Sequence, residues 1–351
     1  MSLSVVVCNY NHAHYLPEAL QAILEQSRRP MEVIVIDDRS TDNSVEVIEG
    51  IARRDPIVHL YRNERNQGPL ATANRGLALA RGDCIYWGAA DDRICPGLFE
   101  RSLQLLDQHP EAGLCSALLQ LISADGRDLG WIRSPVICDE SCFLPPEKIL
   151  RTLNRYGFWF TGQTTIYRRS ALLAEADGFL PELAHRADHF VNYAVALRRG
   201  ACFIPEALAT YRILSSGYAE SSFDNEELSR RSFALMLGQM RLPRYASLFP
   251  EAWVDALERR GMYDFEVRAL RRLRQTQRAF FDRLRALRSH PTILDHGLLL
   301  LLRSLASSMG VAASAYLWHR RFGWDFAWLA MKLRVRWSSY GRRTRVQRQW
   351  K

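Results

Sequence analysis

Cysteine is scarce in this chain of 351 residues and follows no pattern typical of a disulfide framework or a zinc site. No C-x-x-C unit occurs, the number of cysteines is odd, and several lie inside apolar runs. The sequence therefore predicts reduced core cysteines in the cytosol and disfavours a small secreted fold held by disulfides. The seven cysteines are Cys8, Cys84, Cys95, Cys115, Cys138, Cys142 and Cys202.

Long uninterrupted apolar runs are also lacking. The most apolar segment, residues 293–318, contains Asp295, His296 and Arg303, which disfavours a helix that spans a bilayer. The first five residues lead straight into a predicted strand and lack the basic and then apolar order of a secretory signal. We therefore expect a cytoplasmic protein, either free or peripheral on the inner face of the cell membrane.

Acidic residues are sparse in the last quarter of the chain. Residues 259–351 contain 21 Lys and Arg against 5 Asp and Glu, whereas the rest of the chain is net acidic. We expect a main domain over residues 1–223 and an α-helical, Arg-rich region over 224–351. Tryptophans among the arginines are typical of helices at a membrane interface, and packing on the body or on a second subunit is the alternative. An anionic membrane surface is thus the expected partner of this region, in preference to nucleic acid.

Strand and helix patterns alternate through the first half of the chain. β-Branched or apolar runs at residues 5–8, 33–36, 58–61 and 84–87 are separated by amphipathic helical patterns. This alternation predicts an α/β fold with a Rossmann-like, mostly parallel sheet and flanking helices. After residue 113 the rhythm loosens; residues 124–127 predict a hairpin turn, and 163–167 and 207–211 predict strands.

Two predicted strands end in paired acids. Asp37 and Asp38, the first acidic pair, follow residues 33–36, and Asp91 and Asp92, the second acidic pair, follow the strand at 84–87. Ligands of open α/β sheets bind beyond the carboxyl ends of the strands, so both pairs should face one crevice. Such carboxylates suit a nucleotide with Mg²⁺ or Mn²⁺, whose other ligands are diphosphate oxygens and water. The alternative is that each pair caps the following helix.

Further polar residues lie at predicted helix starts. Asn66 and Gly68 precede a helix that begins after Pro69, where free backbone N–H groups could bind an anion. Asp188 begins another helix, whose N-terminus favours an ionised carboxylate that could accept a proton at neutral pH. A simple N-cap role for Asp188 is the alternative.

Four motifs, taken in order, resemble the signature of family 2 glycosyltransferases. They are VVVCNYN at 5–11, VIVIDDRSTDNS at 33–44, NQG at 66–68 followed by NRG at 74–76, and ADD at 90–92. The resemblance covers residues 1 to about 215. It implies a GT-A catalytic domain that transfers a sugar, with inversion, from a nucleotide-diphosphate donor, with a UDP-sugar favoured, and that uses Mg²⁺ or Mn²⁺.

The resemblance also implies which residues contact the nucleotide. Cys8 and Tyr10 would flank the nucleobase, and Asp38 would bond its edge with Asp37 beside it. Asp91 would lie near the ribose or the sugar.

The remaining roles concern the metal, the phosphates and the acceptor. Asp92 would coordinate the metal, and Asp188 would be the general base. The family's Asp-x-Asp lacks one carboxylate here, and the arginine often found before the loop's Asn is Ala73, which leaves Arg75 for phosphate contact. Asn66 and Gly68 complete the expected nucleotide-sugar-binding set.

A saccharide or lipid-linked saccharide acceptor, used in surface polysaccharide synthesis, is expected over the aromatic residues 158–160, although these rings could equally be core. Two other functions stay open. A nucleotidyltransferase would carry a Gly-rich loop after its first strand, and residues 9–12 contain no glycine. A non-catalytic protein would use its Arg-rich region on nucleic acid or on a membrane.

Overall fold

The computed structural model describes residues 1–131, 137–176, 178–214, 217–259 and 261. Residues Met1–Phe249 form one compact unit and Pro250–Lys351 a second. The first unit thus extends beyond the boundary expected near residue 223. Residues 262–351, which carry the membrane-interface hypothesis, lie outside the described residues. Within the described part, no helix has the length and apolar character needed to cross a membrane.

The described residues form ten strands and ten α-helices, together with two short 3-10 helices at Gly162–Thr164 and Pro181–Arg186. The strands are β1 (Leu3–Asn9), β2 (Glu32–Asp37), β3 (Val58–Arg62), β4 (Cys84–Ala89), β5 (Arg93–Ile94), β6 (Leu114–Ile122), β7 (Asp128–Trp131), β8 (Cys142–Leu144), β9 (Ile166–Arg168) and β10 (Ala201–Arg212). The helices are α1 (Leu16–Leu24), α2 (Ser44–Ala52), α3 (Pro69–Leu79), α4 (Leu98–Gln108), α5 (Pro146–Tyr156), α6 (Arg169–Ala176), α7 (Ala187–Arg199), α8 (Tyr218–Asp224), α9 (Glu226–Met240) and α10 (Pro243–Ala246).

The first half of the sheet is parallel, as predicted. Its order is β3-β2-β1-β4, and α1, α2 and α3 return the chain between these strands. The carboxyl ends of the four strands therefore lie at one edge of the sheet. Both acidic pairs follow strands at this edge, which confirms the α/β fold and places the two pairs on one side of the molecule.

The second half of the sheet, β9-β6-β10-β5, is mixed. β9 pairs antiparallel with β4 and with β6, whereas β6 and β10 are parallel. The hairpin predicted around residues 124–127 is confirmed, since β6 pairs antiparallel with β7. The strand predicted at 163–167 starts later, because the 3-10 helix Gly162–Thr164 occupies its first half and β9 begins at Ile166.

The parallel strands are buried on both faces, as expected for a sheet covered by helices on each side. Val5, Val6 and Val7 of β1 have no exposed surface. α3 lies very close to β1, because a Cβ at Gly76 would be 2.2 Å from Cγ1 of Val6. Glycine at this position therefore fixes α3, and the loop that precedes it, against the strand at the centre of the parallel half.

The prediction of reduced cysteines is wrong for one pair. Cys138 and Cys142 form a disulfide four residues apart in the segment that leads into β8. The spacing is not C-x-x-C, so the pattern gave no signal for it. The other five cysteines are free and either buried or half-buried.

Candidate functional site

The turn after β2 is organised by Asp37, which is fully buried. Its Oδ1 accepts a hydrogen bond from Nδ2 of Asn9 at 2.9 Å, and its Oδ2 accepts from the backbone N–H of Ser40 at 3.1 Å. Asp37 therefore joins the ends of β1 and β2. Both carboxylate oxygens accept hydrogen bonds from protein groups, so Asp37 stabilises the turn and is not placed to contact a ligand directly.

Asp38 holds the loop that follows β3. Its Oδ1 accepts from Nδ2 of Asn63 at 2.7 Å and from the backbone N–H of Gln67 at 2.9 Å, and its Oδ2 accepts from the N–H of Gly68 at 2.8 Å. Asn66 Oδ1 accepts from the same Gly68 N–H at 3.0 Å. The structure thus brings three predicted residues together. A carboxylate offers about four acceptor positions, so roughly one remains on Asp38 for a ligand.

Cys8 and Tyr10 mark the end of β1, between β2 and β4. Cys8 pairs across the sheet with Ile36 on one side and Ala89 on the other. Burial and the nearby charge of Asp38 raise the pKa of the Cys8 thiol to about 12, so it stays protonated at neutral pH. Tyr10 is 43% exposed and offers a ring to a ligand at the same edge.

Two neighbouring side chains of α3 point in different directions. Asn74 clamps the segment before α7: its Nδ2 donates to the carbonyl of Phe179 at 2.7 Å, and its Oδ1 accepts from the Phe179 N–H at 2.8 Å. Arg75 donates from Nη1 to the carbonyl of Arg62 at 2.8 Å and to Oδ1 of Asn63. Arg75 therefore lies at the end of β3 and not at the strand end that carries the second acidic pair.

Asp91 and Asp92 follow β4 and have different surroundings. Asp91 is half-buried, and its Oδ2 lies 4.0 Å from Nε2 of His12. Asp92 is only 7% exposed, and its Oδ1 accepts the backbone N–H of Arg212 at 2.8 Å. Asp91 is therefore the more exposed of the two carboxylates, which favours it over Asp92, the predicted metal ligand, for contact with a ligand. His12, just after the first motif, was not predicted as a site residue.

Arg212, at the end of β10, is a further residue that the sequence reading missed. It is 3% exposed and its guanidinium lies 4.7 Å from the ring centre of Tyr15. Nε donates to the carbonyl of Asp91 at 2.8 Å, and Nη2 donates to Glu18 at 2.7 Å. Nη1 donates to the carbonyls of residues 123 and 124, in the β6–β7 turn. Arg212 thus links the second acidic pair to α1 and to the hairpin.

The donor groups near β4 fit a divalent ion that arrives with phosphate. In the described part of the chain, no three His, Cys, Asp or Glu side chains converge to form a cage on their own. Asp91 and His12 do converge, and the carboxylate is the ligand type that Mg²⁺ and Mn²⁺ prefer. Mg²⁺ sites commonly use one or two carboxylates with substrate phosphates and water. The donor set therefore suits a metal whose remaining ligands come from a diphosphate.

Asp188 lies in the first turn of α7, as predicted, and is half-buried. Its Oδ1 accepts the N–H of His189 at 2.8 Å. A Cβ at Gly162 would lie 3.0 Å from Oδ2, so the missing side chain there leaves room for this carboxylate. Burial raises the pKa of Tyr167 and of Tyr218, and the charge of Asp188 contributes to both increases.

Tyr86 connects the surroundings of Asp188 to β4. Its hydroxyl donates to the carbonyl of Gln163 at 2.9 Å. Because β9 runs antiparallel to β4 and pairs Ile166 with Tyr86, the residues before Ile166 run toward the carboxyl end of β4. Gly162, and the carboxylate packed against it, therefore lie at the edge of the sheet where the second acidic pair follows.

The aromatic stretch at 158–160 is mostly core, which corrects the idea of an acceptor platform there. Trp159 and Phe160 are buried, and their backbone N–H groups lie 2.6 Å and 3.4 Å from the Tyr193 hydroxyl oxygen, which accepts from both. Phe158 is half-buried, with its ring 5.4 Å from that of His189. The aromatic side chain that is exposed near Asp188 is Tyr218, 43% exposed, which the sequence reading did not select.

Residues 4–173 match the family model described as glycosyl transferase family 2. This part of the chain is a family 2 glycosyltransferase domain. The match runs from β1 into α6, includes both acidic pairs, and ends before Asp188. The family predicted from the four motifs is thus confirmed.

Curated relatives of this domain are similar over part of their length. An uncharacterized glycosyltransferase of Nostoc sp., alr2836, is 32% identical over 217 residues, which are 61% of this chain and 65% of the relative. The succinoglycan biosynthesis protein ExoO of Rhizobium meliloti is 34% identical over 129 residues, 36% of each chain. The alignments therefore span less than two thirds of these relatives.

Solved structures share the fold at low identity. S. aureus TarS 1-349 in complex with UDP-GlcNAc has a TM-score of 0.56 at 20% identity and covers 76% of this chain and 80% of its own. The mannosyltransferase PcManGT from Pyrobaculum calidifontis, in complex with GDP-Man and Mn²⁺, has a TM-score of 0.52 at 20% identity and covers 90% and 84%. These likenesses establish the GT-A fold.

Proposed function

We propose that the chain is an inverting glycosyltransferase that moves a sugar from a UDP-sugar to a hydroxyl group of a saccharide acceptor. One observation carries most of this proposal: Asp188 packs against Gly162 beside the carboxyl end of β4, where the second acidic pair lies. A base and a diphosphate site at one sheet edge are what a transfer to a hydroxyl requires.

The donor would lie across the carboxyl ends of the parallel strands. The nucleobase would sit near Cys8 and Tyr10, within reach of the remaining acceptor position of Asp38. The diphosphate would then reach Asp91, two strands along the sheet from β2. Asp91 and His12 would hold a divalent ion, which would supply positive charge to offset the growing charge of the leaving diphosphate.

The acceptor hydroxyl would approach from the side of Asp188. The ionised carboxylate takes the hydroxyl proton while the oxygen attacks the anomeric carbon from the face opposite the diphosphate, so the configuration inverts. Asp92 supports this arrangement from behind, because its Oδ1 is held by the backbone of Arg212 and keeps the end of β4 in place.

The acceptor class is proposed from chemistry and from one relative. The exposed ring of Tyr218 near Asp188 suits the C–H face of a sugar. The name of ExoO connects a relative with succinoglycan biosynthesis, and we extend this to a role in surface polysaccharide assembly, with a lipid-linked saccharide as one form of the acceptor. Peripheral attachment through the Arg-rich C-terminal region remains part of this proposal.

The test is a transfer assay on the full-length protein with UDP- and GDP-sugars, Mn²⁺ and saccharide acceptors. Asp188→Asn should lower kcat by about 100- to 10,000-fold, because a positioned general base contributes this much, while UDP affinity stays unchanged. The exposed Glu182→Gln, six residues earlier, is the control and should keep full activity. Transfer of the nucleotidyl group of a nucleoside triphosphate to a sugar 1-phosphate, with release of pyrophosphate and without sugar transfer, would instead establish a nucleotidyltransferase.

A further inference from the structure

A basic cavity lies at the carboxyl end of β3, the outermost strand of the parallel half. Its volume is about 510 Å³, within the range of about 300–1,000 Å³ typical of small-molecule sites. We call it the β3 pocket, and it is lined by Arg62, Glu64, Arg65, Gln67 and Arg75. Three guanidinium groups against one carboxylate give it a positive charge.

The β3 pocket stands on a fixed frame. The loop that carries Glu64, Arg65 and Gln67 is held at Gln67 and Gly68 by the two oxygens of Asp38. Asp38 is buried, with 3% of its surface exposed, so these bonds are shielded from water. The lining residues are therefore presented by an anchored loop, as a preformed binding site requires.

The arginines keep hydrogen-bond donors for a ligand. The Arg75 side chain uses Nη1 for Arg62 and Asn63, and no described residue accepts from its Nε or Nη2. Arg62 and Arg65 are exposed, and within the described part of the chain their guanidinium groups take part in no hydrogen bond or ion pair. Planar guanidinium groups with free donors are well suited to phosphate oxygens.

The β3 pocket is separate from the place of the donor diphosphate. In the order β3-β2-β1-β4, three strand spacings separate it from the second acidic pair. At about 4.8 Å per spacing this is roughly 14 Å. The hydrogen bonds of Arg75 to residues at the end of β3 hold its guanidinium at that strand, away from the second acidic pair. A second anion, distinct from the diphosphate at Asp91, can therefore occupy these arginines.

The geometry points to a phosphorylated saccharide as the ligand of the β3 pocket. The guanidinium groups match a phosphate, while the Glu64 carboxylate and the Gln67 amide can bond sugar hydroxyls. No aromatic side chain is among the lining residues, so the pocket lacks the aromatic ring on which nucleobases commonly stack. This assignment goes beyond the proposed transfer reaction and does not depend on which sugar is transferred.

The test is calorimetric titration of the full-length protein with glucose 1-phosphate, repeated with saturating UDP and Mn²⁺. We expect saturable binding that UDP leaves unchanged and that the double variant R62Q/R65Q weakens at least 10-fold. Both side chains are exposed, so the variant should keep the melting temperature of the parent. The matched control is Arg54→Gln, an exposed arginine before β3 and outside the pocket, which should bind like the parent.

Four results would overturn the assignment. Absence of saturable binding, or equal weakening by Arg54→Gln, would remove the β3 pocket as a site. Displacement of glucose 1-phosphate by UDP would make the pocket part of the donor site. The last result is that inorganic phosphate binds as tightly as glucose 1-phosphate while glucose itself does not bind. The pocket would then recognise only the anion and not the saccharide.

Discussion

The backbone N–H of Arg212 donates to Oδ1 of Asp92 at 2.8 Å, although the two residues are 120 positions apart in the sequence. The guanidinium of the same arginine donates to the carbonyl of Asp91 at 2.8 Å. The conformation at the end of β4 is therefore set by the end of β10. The position of the proposed metal and diphosphate site thus depends on a residue that does not itself face the crevice.

Arg212→Ala is expected to lower the free energy of unfolding by about 3 kcal/mol or more. The substitution removes the hydrogen bonds that a buried guanidinium donates to the carbonyls of residues 91, 123 and 124, and a hydrogen bond that involves a charged group contributes about 1.5–3 kcal/mol. Urea denaturation followed by circular dichroism measures the change.

Arg93→Ala is the control for that experiment. Arg93 pairs with Glu18 at 2.9 Å, as Arg212 does, but its side chain is 45% exposed. Such exposed pairs contribute about 0–1 kcal/mol. Equal decreases in the free energy of unfolding of the two variants would show that Arg212 acts only as one more partner of Glu18 and does not hold the end of β4.

Gly162→Ala is expected to lower kcat without changing the affinity for the sugar donor. The new Cβ would lie 3.0 Å from Oδ2 of Asp188, so the carboxylate must move, whereas the backbone at residue 162 is not in the left-handed region and accepts alanine. A displacement of the base by a few tenths of an ångström to 1 Å should lower kcat by about 10- to 100-fold. UDP affinity, measured by calorimetry, should stay the same.

Gly238→Ala provides the matched control, because a Cβ at this position in α9 meets nothing within 4 Å. It should keep the parent kcat. If Gly162→Ala also keeps it, the carboxylate of Asp188 does not need its present position, and its assignment as the base loses its geometric support.

The parallel half of the fold could be predicted from local signals. β-Branched runs followed by helical patterns predict β1 to β4 with α1 to α3, because both signals lie within a few residues of the element they specify. The convergence of Asp38, Asn66 and Gly68 follows from the same reasoning, since strand ends meet at one edge of a parallel sheet.

The remaining features depend on contacts between distant residues. β9 is three residues long and inserts antiparallel between β4 and β6, and no local pattern specifies the direction of so short a strand. Arg212 has partners spread from Glu18 to Asp92, and Asn74 clamps Phe179, 105 positions away. A single sequence carries no record of such pairs, so neither residue could be selected in advance.

Cys8 is expected to resist alkylation in the folded protein. Burial and the charge of Asp38 raise the pKa of its thiol to about 12, compared with about 8.5 in an unfolded chain. At pH 8.5 the thiolate fraction of folded Cys8 is then about 1,000-fold lower, and the rate with iodoacetamide should fall accordingly. Mass spectrometry of the Cys8 peptide, from folded protein and from protein in guanidinium chloride, measures both rates. Similar rates would show that the thiol is neither shielded nor perturbed.

Glu32 should make the stability depend on acidic pH. Burial alone would raise its pKa, but hydrogen bonds from Ser4 Oγ at 2.6 Å and from the Arg81 N–H at 2.8 Å, with the Arg81 guanidinium, outweigh burial, and the net pKa is lowered. A lowered folded pKa stabilises the protein fully above the ordinary value near 4.3. This stabilisation is lost as the pH falls through the folded pKa.

Glu32→Gln is therefore expected to be less stable than the parent at pH 7. The difference in free energy of unfolding between the two proteins, here called the gap, should narrow as the pH drops from 5 to 3. Urea denaturation at several pH values gives the gap directly. Glu49→Gln is the control, because Glu49 is 53% exposed and lies 3.9 Å from Arg53, so its gap should be small throughout. A gap for Glu32→Gln that is constant with pH would contradict the assigned shift.

Ala184→Gly should stabilise the protein, although glycine usually destabilises. Ala184 has φ 48° and ψ −133° inside the 3-10 helix Pro181–Arg186 that leads into α7, a conformation that costs a residue with a Cβ about 1–3 kcal/mol. Glycine removes this strain and loses about 0.4–1 kcal/mol through the greater freedom of the unfolded chain. The expected net gain is about 1 kcal/mol in urea denaturation.

Ala187→Gly, three residues later, is the control that distinguishes relief of backbone strain from the general effect of replacing alanine with glycine. Ala187 is buried and has helical angles, φ −62° and ψ −43°, so glycine there should cost about 1 kcal/mol. Each of the two substitutions deletes one Cβ methyl group, yet they should change the free energy of unfolding in opposite directions. A loss in both would mean that the segment before Asp188 is relaxed, and the carboxylate would then be held by its contact with Gly162 and by α7 alone.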